Sequence, residues 1–206
     1  MKRINIMGLG IGWHLCPEDG ETWTVNLGCL FRKTDMMFYM DRALYKDTDP
    51  QNEDEVSLLE KRISCQIGSI EHIEESVMRV SREEQIPIVT TRPFSDIANN
   101  IVFPLEEIVE EYGSDCFGNS ADYMTAYALY KGYNDIHYYG VNLGDDFKSK
   151  YEKSPMSFWV GVAMGLGCRV SIHGSMSKLL RTESGELYGY GKPQWIQRDK
   201  GMQRRM

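Results

Sequence analysis

The chain has 206 residues, 42% of them hydrophobic and 26% charged, which fits one globular domain or one domain with an insertion. Its formal net charge of −7 argues against a general nucleic-acid binder, because phosphate binding draws on lysine and arginine. Five cysteines, at 16, 29, 65, 116 and 168, form no CxxC pair, so no structural zinc site is expected, and scattered thiols fit a reducing, cytoplasmic compartment.

The start, MKRINIMGLGIGW, puts a basic pair before an apolar run. Glycines break that run and no small-residue cleavage site follows, so it reads as a first strand, Ile4–Met7, and not as a signal peptide. The strand opens into Gly8-Leu9-Gly10-Ile11-Gly12. Alternating glycines let backbone approach a phosphate or ribose, but GxGxG is not the dinucleotide fingerprint, and a tight turn explains it equally well. Thr22–Val25 is a second strand, ending at Asn26, and Met36–Met40 a third. Polar residues just past strand ends are where ligands collect in such folds.

From Asp49 to Gln85 the chain is acidic, with apolar residues at helical intervals from Val56 to Val77. This predicts a helical insertion over about 49–85, in which His72 belongs to a solvated face. Ile86–Thr91 is a fourth strand and Asn100–Phe103 a short fifth. Pro104 opens a helix that Gly113 ends.

Gly118 to Leu143 reads as a capped helix feeding a buried strand. Ser120 is the expected N-cap, Asp122 suits the positive end of the helix dipole, and Gly132 fits the left-handed stop. Asn134–Asp135 is read as the turn and Ile136–Val141 as the strand. A helix N-terminus at Ser120 offers unpaired N–H groups to a phosphate. Gly144–Lys153 reads as a polar loop, and Ser154-Pro155 as the cap and first residue of an apolar helix, SFWVGVAMG. Arg169–Ile172 is the last strand, with His173 at its end. The pattern predicts an α/β fold, a Rossmann-like, mainly parallel sheet with helices on both faces, over a single domain of residues 1–190. Residues 191–206 form a C-terminal arm whose basic cluster is a frayed, solvated end. No run approaches the roughly 20 apolar residues of a membrane span.

The pieces IMGLGIG, WTVNLGCLF, DMMFYMD, NSADYMTAYALYKGYNDIHYYGVNL and CRVSIHGSMSKLL resemble, in the same order, a family of phage-encoded proteins. More distantly they are similar to bacterial sialyltransferases that use a cytidine-nucleotide sugar, and to pterin-pyrophosphokinase and flagellin-glycosylation proteins. The resemblance implies a protein of the host cytoplasm that binds a nucleotide or nucleotide-sugar, through Gly8, Gly10, Gly12, Asn26, Asn119, Ser120, Asn142 and Ser175. It leaves open a transferase acting on an activated donor or a non-catalytic accessory protein, either of which could form a homo-oligomer. Two positions depart from the family: Leu9 stands where asparagine is usual, and the strand that ends there in asparagine ends here in Met40. The sialyltransferases' base histidine comes from an insertion with no counterpart here, so sialyl transfer is not expected.

The catalytic candidates are four. Asp145 and Asp146 could hold a divalent metal or act as a base, or simply be solvated. Tyr151, with Glu152, matches a tyrosine-bearing loop of the relatives. His173 could be a strand-end base or a satisfied structural histidine. No Walker loop and no nucleophile elbow occurs.

Overall fold

The computed structural model describes residues 1–40, 70–141 and 147–174. In chain order its elements are β1 (Arg3–Met7), β2 (Thr22–Val25), β3 (Met36–Phe38), α1 (Ile70–Glu83), β4 (Ile88–Thr90), β5 (Asn100–Val102), α2 (Leu105–Tyr112), α3 (Ser120–Tyr130), β6 (Asp135–Tyr139), α4 (Phe147–Gly165) and β7 (Arg169–His173). Short 3-10 turns lie at Trp13–Leu15 and Gly28–Leu30. They divide into two compact units, one of Glu18–Asp115 and one of Met1–Pro17 with Cys116–Met206.

In the unit of Glu18–Asp115, β2, β3, β4 and β5 pair in that order, all parallel. Its core joins Cys29, Met37, Ile88 and Ile97 to Val77 and Met78 of α1. Ser81 closes that helix onto β4 by donating from Oγ to the Ile86 carbonyl at 2.8 Å.

In the other unit β1, β6 and β7 are parallel, with Met7, Tyr139 and His173 in register at their carboxyl ends. Ile4, Ile6, Ile136 and Tyr138 are fully buried, as a covered parallel strand requires. The covering helix α3 is buried nearly all round. On α4 the buried residues Met156, Trp159, Val160 and Ala163 follow the spacing of one helical face.

The α/β class and all seven strands agree with the sequence pattern, with ends shifted by one or two residues. Three local readings change. Asp135, read with Asn134 as the turn, is the first residue of β6, paired in register with Arg3 and Arg169. The N-cap of α3 is Asn119, and Ser120 is the first helical residue. Asn119 wins because its longer amide reaches two N–H groups, accepting from Ala121 at 2.8 Å and Asp122 at 3.3 Å, while the Asp122 carboxylate accepts back from the Asn119 N–H. Likewise α4 begins before the expected Ser154-Pro155 start and carries Pro155 inside it. A proline there forfeits one helical hydrogen bond, at a cost of about 3 kcal/mol. Packing offsets this. The Pro155 ring lies so close to Gly118 that a Cβ there would sit 2.9 Å from Cγ. One helical turn further on, the Trp159 indole stacks on Phe117 at 5.0 Å and donates to the Cys116 carbonyl at 2.7 Å.

At the carboxyl end of β1 and β6 the two backbones touch. Gly8 N–H donates to the Tyr139 carbonyl and Gly10 N–H to the Gly140 carbonyl, both at 2.8 Å. Gly140 has φ 61°, and a Cβ there would stand 2.7 Å from the Gly8 oxygen and 2.8 Å from the Gly10 oxygen. Gly140→Ala should therefore cost at least ~3 kcal/mol in urea unfolding, combining backbone strain with overlap. Gly132→Ala, at φ 76° with nothing within 4 Å of the added carbon, isolates the strain and should cost only ~1 kcal/mol. Equal costs would show that the strand-end contact is not tight.

Candidate functional site

Alternation along β6 places Asp135, His137 and Tyr139 on one face, in register with Arg169, Ser171 and His173 of β7. These side chains form a continuous row. Asp135 is buried, and its carboxylate accepts from Arg3 Nε at 2.8 Å and from Arg169 Nε and Nη2 at 2.7 and 2.6 Å. His137 Nε2 lies 3.0 Å from Asp135 Oδ1, and His137 Nδ1 lies 2.9 Å from His173 Nε2. The His173 ring also stacks on Tyr139, centroids 4.3 Å apart.

A carboxylate only accepts, so His137 donates from Nε2. Neutral His137 then accepts at Nδ1, His173 donates from Nε2, and His173 Nδ1 keeps a lone pair. The row thus ends in a base, on the last residue of β7. The charges agree. Hydrogen bonds from Arg169, and then Arg3, hold the Asp135 carboxyl well below the usual range against the opposing effect of burial. Burial lowers the basicity of His137, against the pull of Asp135. Burial first, then the His137 and Arg3 charges, lowers that of His173, so both rings are neutral at pH 7.

The loops around this end are close. A Cβ on Gly12 would sit 3.8 Å from the His173 carbonyl oxygen and from Gly174 Cα. Gly12 therefore stands beside the His173 backbone, and Gly8 and Gly10 beside Tyr139 and Gly140, at the carboxyl ends of the strands, where open α/β sheets bind ligands. Helix α3 returns through a short turn into β6, which directs its N-terminus toward the same end.

That N-terminus is largely self-occupied. The Asp122 carboxylate accepts at Oδ2 from the N–H groups of Gly118 at 2.8 Å and Asn119 at 3.0 Å, and Asn119 Oδ1 takes those of Ala121 and Asp122. The unpaired N–H groups expected there are in large part already bound. Asp122 is fully buried, and Oδ1 has no hydrogen-bond partner among the described residues. Burial pushes its carboxyl up to about 7, against those hydrogen bonds and with a further rise from Glu152.

Asn119 Nδ2 also donates to the Glu152 carbonyl at 3.3 Å, tying α3 to α4. Tyr151, on α4, is exposed. Asn26 belongs to the other unit, where it follows β2 in a left-handed conformation, φ 49°. Leu9 is partly exposed and Met40 is buried. Asn142, Asp145, Asp146 and Ser175, and with the acid pair the possible divalent-metal site, lie outside the described residues. Among the described residues no three His, Cys, Asp or Glu side chains converge as a metal site, and no helix is long and apolar enough to cross a membrane.

Asp135, His137, Arg3 and Arg169 were not singled out as site residues. The available signal is polar alternation, DIHYY beside RVSIH, inside strands that are otherwise apolar.

No family model matches the chain, and no curated protein matches it. Among solved structures it is similar to the sialyltransferase CstII from Campylobacter jejuni in complex with the substrate analogue cytidine-5′-monophosphate, at 14% identity and a TM-score of 0.47 over 87% of this chain and 82% of that one. It is also similar to CstII in complex with CMP-3FNeuAc, at 13% identity and 0.44 over 84% and 80%. At identities this low, chemistry has to be read from this chain's own residues.

The raised Asp122 carboxyl has a consequence for stability. Between pH 4 and 7 the folded chain keeps a proton that the unfolded chain has released, so this group's contribution falls as pH rises through that window and levels off above it. The slope is at most ~1.4 kcal/mol per pH unit. Asp122→Asn should remove that fall, so the stability difference between variant and wild type, from urea unfolding at stepped pH, should move in the variant's favour from pH 4 to 7. A constant difference would place Asp122 in the ordinary carboxylate range.

Proposed function

We propose that this protein binds a nucleotide-activated donor at the carboxyl ends of β1, β6 and β7 and transfers a group from it to a hydroxyl acceptor, in glycosyltransferase-like chemistry. The observation that carries this reading is the row Asp135–His137–His173, which ends on the strand-end histidine whose backbone carbonyl faces Gly12 of the glycine loop.

In the step itself, the acceptor O–H gives its proton to His173 Nδ1 as its oxygen bonds to the donor carbon. The bond from that carbon to the nucleotide phosphate oxygen breaks, and the nucleotide leaves with the electron pair. Asp135, through His137, holds the ring in orientation and offsets the imidazolium charge. The sequence resemblance favours a pyrimidine nucleotide, with Gly8, Gly10, Gly12 and the Ser120 hydroxyl as contacts. Since several N–H groups at the start of α3 are already engaged, that terminus contributes mainly its dipole to the phosphate. Sialic acid is not the transferred group in this reading, because the base comes from a strand end and not from the insertion that the sialyltransferases use.

Calorimetry against cytidine and uridine mono- and diphosphates should find binding in the millimolar range or tighter, and Ser120→Ala should weaken it by ~1 kcal/mol, about fivefold. A panel of nucleotide-sugars with hydroxyl acceptors should then give turnover that His173→Ala lowers by about 10²-fold or more, with nucleotide affinity kept. Absence of binding at millimolar nucleotide would sink the proposal. Binding without turnover on any donor would instead support the non-catalytic accessory reading.

A further inference from the structure

We infer that Arg3 and Arg169 are positioning residues for the histidine pair: by filling both oxygens of Asp135 with donors, they set the direction of every proton in the row. This rests on the reading of His173 as the base and explains what makes it one.

The row can be hydrogen-bonded in two senses. In the first, Asp135 is an anion, His137 and His173 both carry hydrogen on Nε2, and His173 Nδ1 is an acceptor. In the second, Asp135 is a neutral acid that donates to His137 Nε2. His137 then donates from Nδ1 to His173 Nε2, and the hydrogen of His173 sits on Nδ1. The heavy-atom positions are the same in both. Only the first leaves His173 a base toward the ligand end; the second makes it a donor.

Burial alone favours the second sense, because a carboxyl at 1% exposure is driven toward its neutral form. The arginines reverse this. Oδ2 accepts from Arg3 Nε and Arg169 Nη2, and Oδ1 from Arg169 Nε beside His137 Nε2. Guanidinium does not give up its proton, so a hydrogen on Oδ2 would point at a donor, and a hydrogen on Oδ1, shared with His137 Nε2, would leave two cations facing a neutral acid. Arg169 spans both oxygens, a forked geometry that an ammonium cannot copy. Among the described residues the charged groups acting on the pair are Arg3 from β1, Asp135 within β6 and Arg169 from β7. Two guanidiniums against one carboxylate leave net positive charge there, which also opposes protonation of the rings.

Both arginines are about half exposed, with side chains 55% and 48% accessible, so glutamine at either position leaves no buried void. The experiment is long-range ¹H–¹⁵N correlation of the histidine rings in the full chain without any ligand, which keeps it independent of whether a donor is ever found. The wild type should show His137 and His173 as Nε2–H tautomers at pH 8. The double variant Arg3→Gln, Arg169→Gln should gain an Nδ1–H population at His173. Arg169→Lys, which keeps the charge but loses the fork, should fall between the two, and this single variant serves if the double variant does not fold. Lys131→Gln, a charge removed elsewhere on the same unit, should change neither ring. An Nδ1–H tautomer of His173 in the wild type would overturn the inference, as would tautomers unaltered by both arginine variants or altered equally by Lys131→Gln.

Discussion

A buried carboxylate has to be matched by donors or lose its charge, and Asp135 is where the unit built on β1, β6 and β7 meets that constraint. It opens β6 and takes one guanidinium from each neighbouring strand, Arg3 on β1 and Arg169 on β7. Those contacts do more than satisfy a charge. They cross-link the amino ends of three strands, fix the register that carries Tyr139 and His173 to the opposite end, and leave His137 as the remaining outlet for the carboxylate's polarity. The far end of the same strands is set by backbone contact, Gly8 and Gly10 against Tyr139 and Gly140.

Asp122 shows the contrasting solution. It too is fully buried, but its donors are neutral N–H groups at the start of α3, and among the described residues no cation pairs with it. The helix dipole and two hydrogen bonds do not compensate for the lost hydration, and the carboxyl shifts to about 7. One unit thus holds a carboxylate pinned as an anion and another poised near neutrality, and the difference lies in whether arginine is within reach.

The fold was largely legible in the sequence because the strands are short apolar runs separated by glycine, proline and polar turns, and tertiary packing only trimmed their ends. Local chemistry was harder to read. Ser120 is a good cap by residue type, yet Asn119 is in the better position, and one residue of offset is beyond what capping preferences resolve. Pro155 looks like a helix start until Gly118 and Trp159 are seen packed around it. The glycine loop and His173 were visible from their places at strand ends. The rest of the row was not, because Asp135 after Asn134 and Gly132 looks like a turn residue, and its partners lie 132 and 34 positions away in the chain.

That separation bears on the order in which the chain can assemble. The strand pair β1–β6 joins residues more than a hundred positions apart, whereas Glu18–Asp115 is one continuous stretch with its own four parallel strands and its own core. During synthesis this inner stretch is complete before β6 exists. Ile4, Ile6 and Met7, all fully buried at the end, must wait without β6 until the second half of the chain emerges. Closing such a long loop is slow, and an apolar strand still lacking β6 presents an edge to wrong partners in the meantime. The basic pair Lys2 and Arg3 flanks that strand with like charge, which discourages two nascent chains from pairing there. Arg3 would then act twice, first keeping β1 from other chains and later binding the carboxylate that closes the unit.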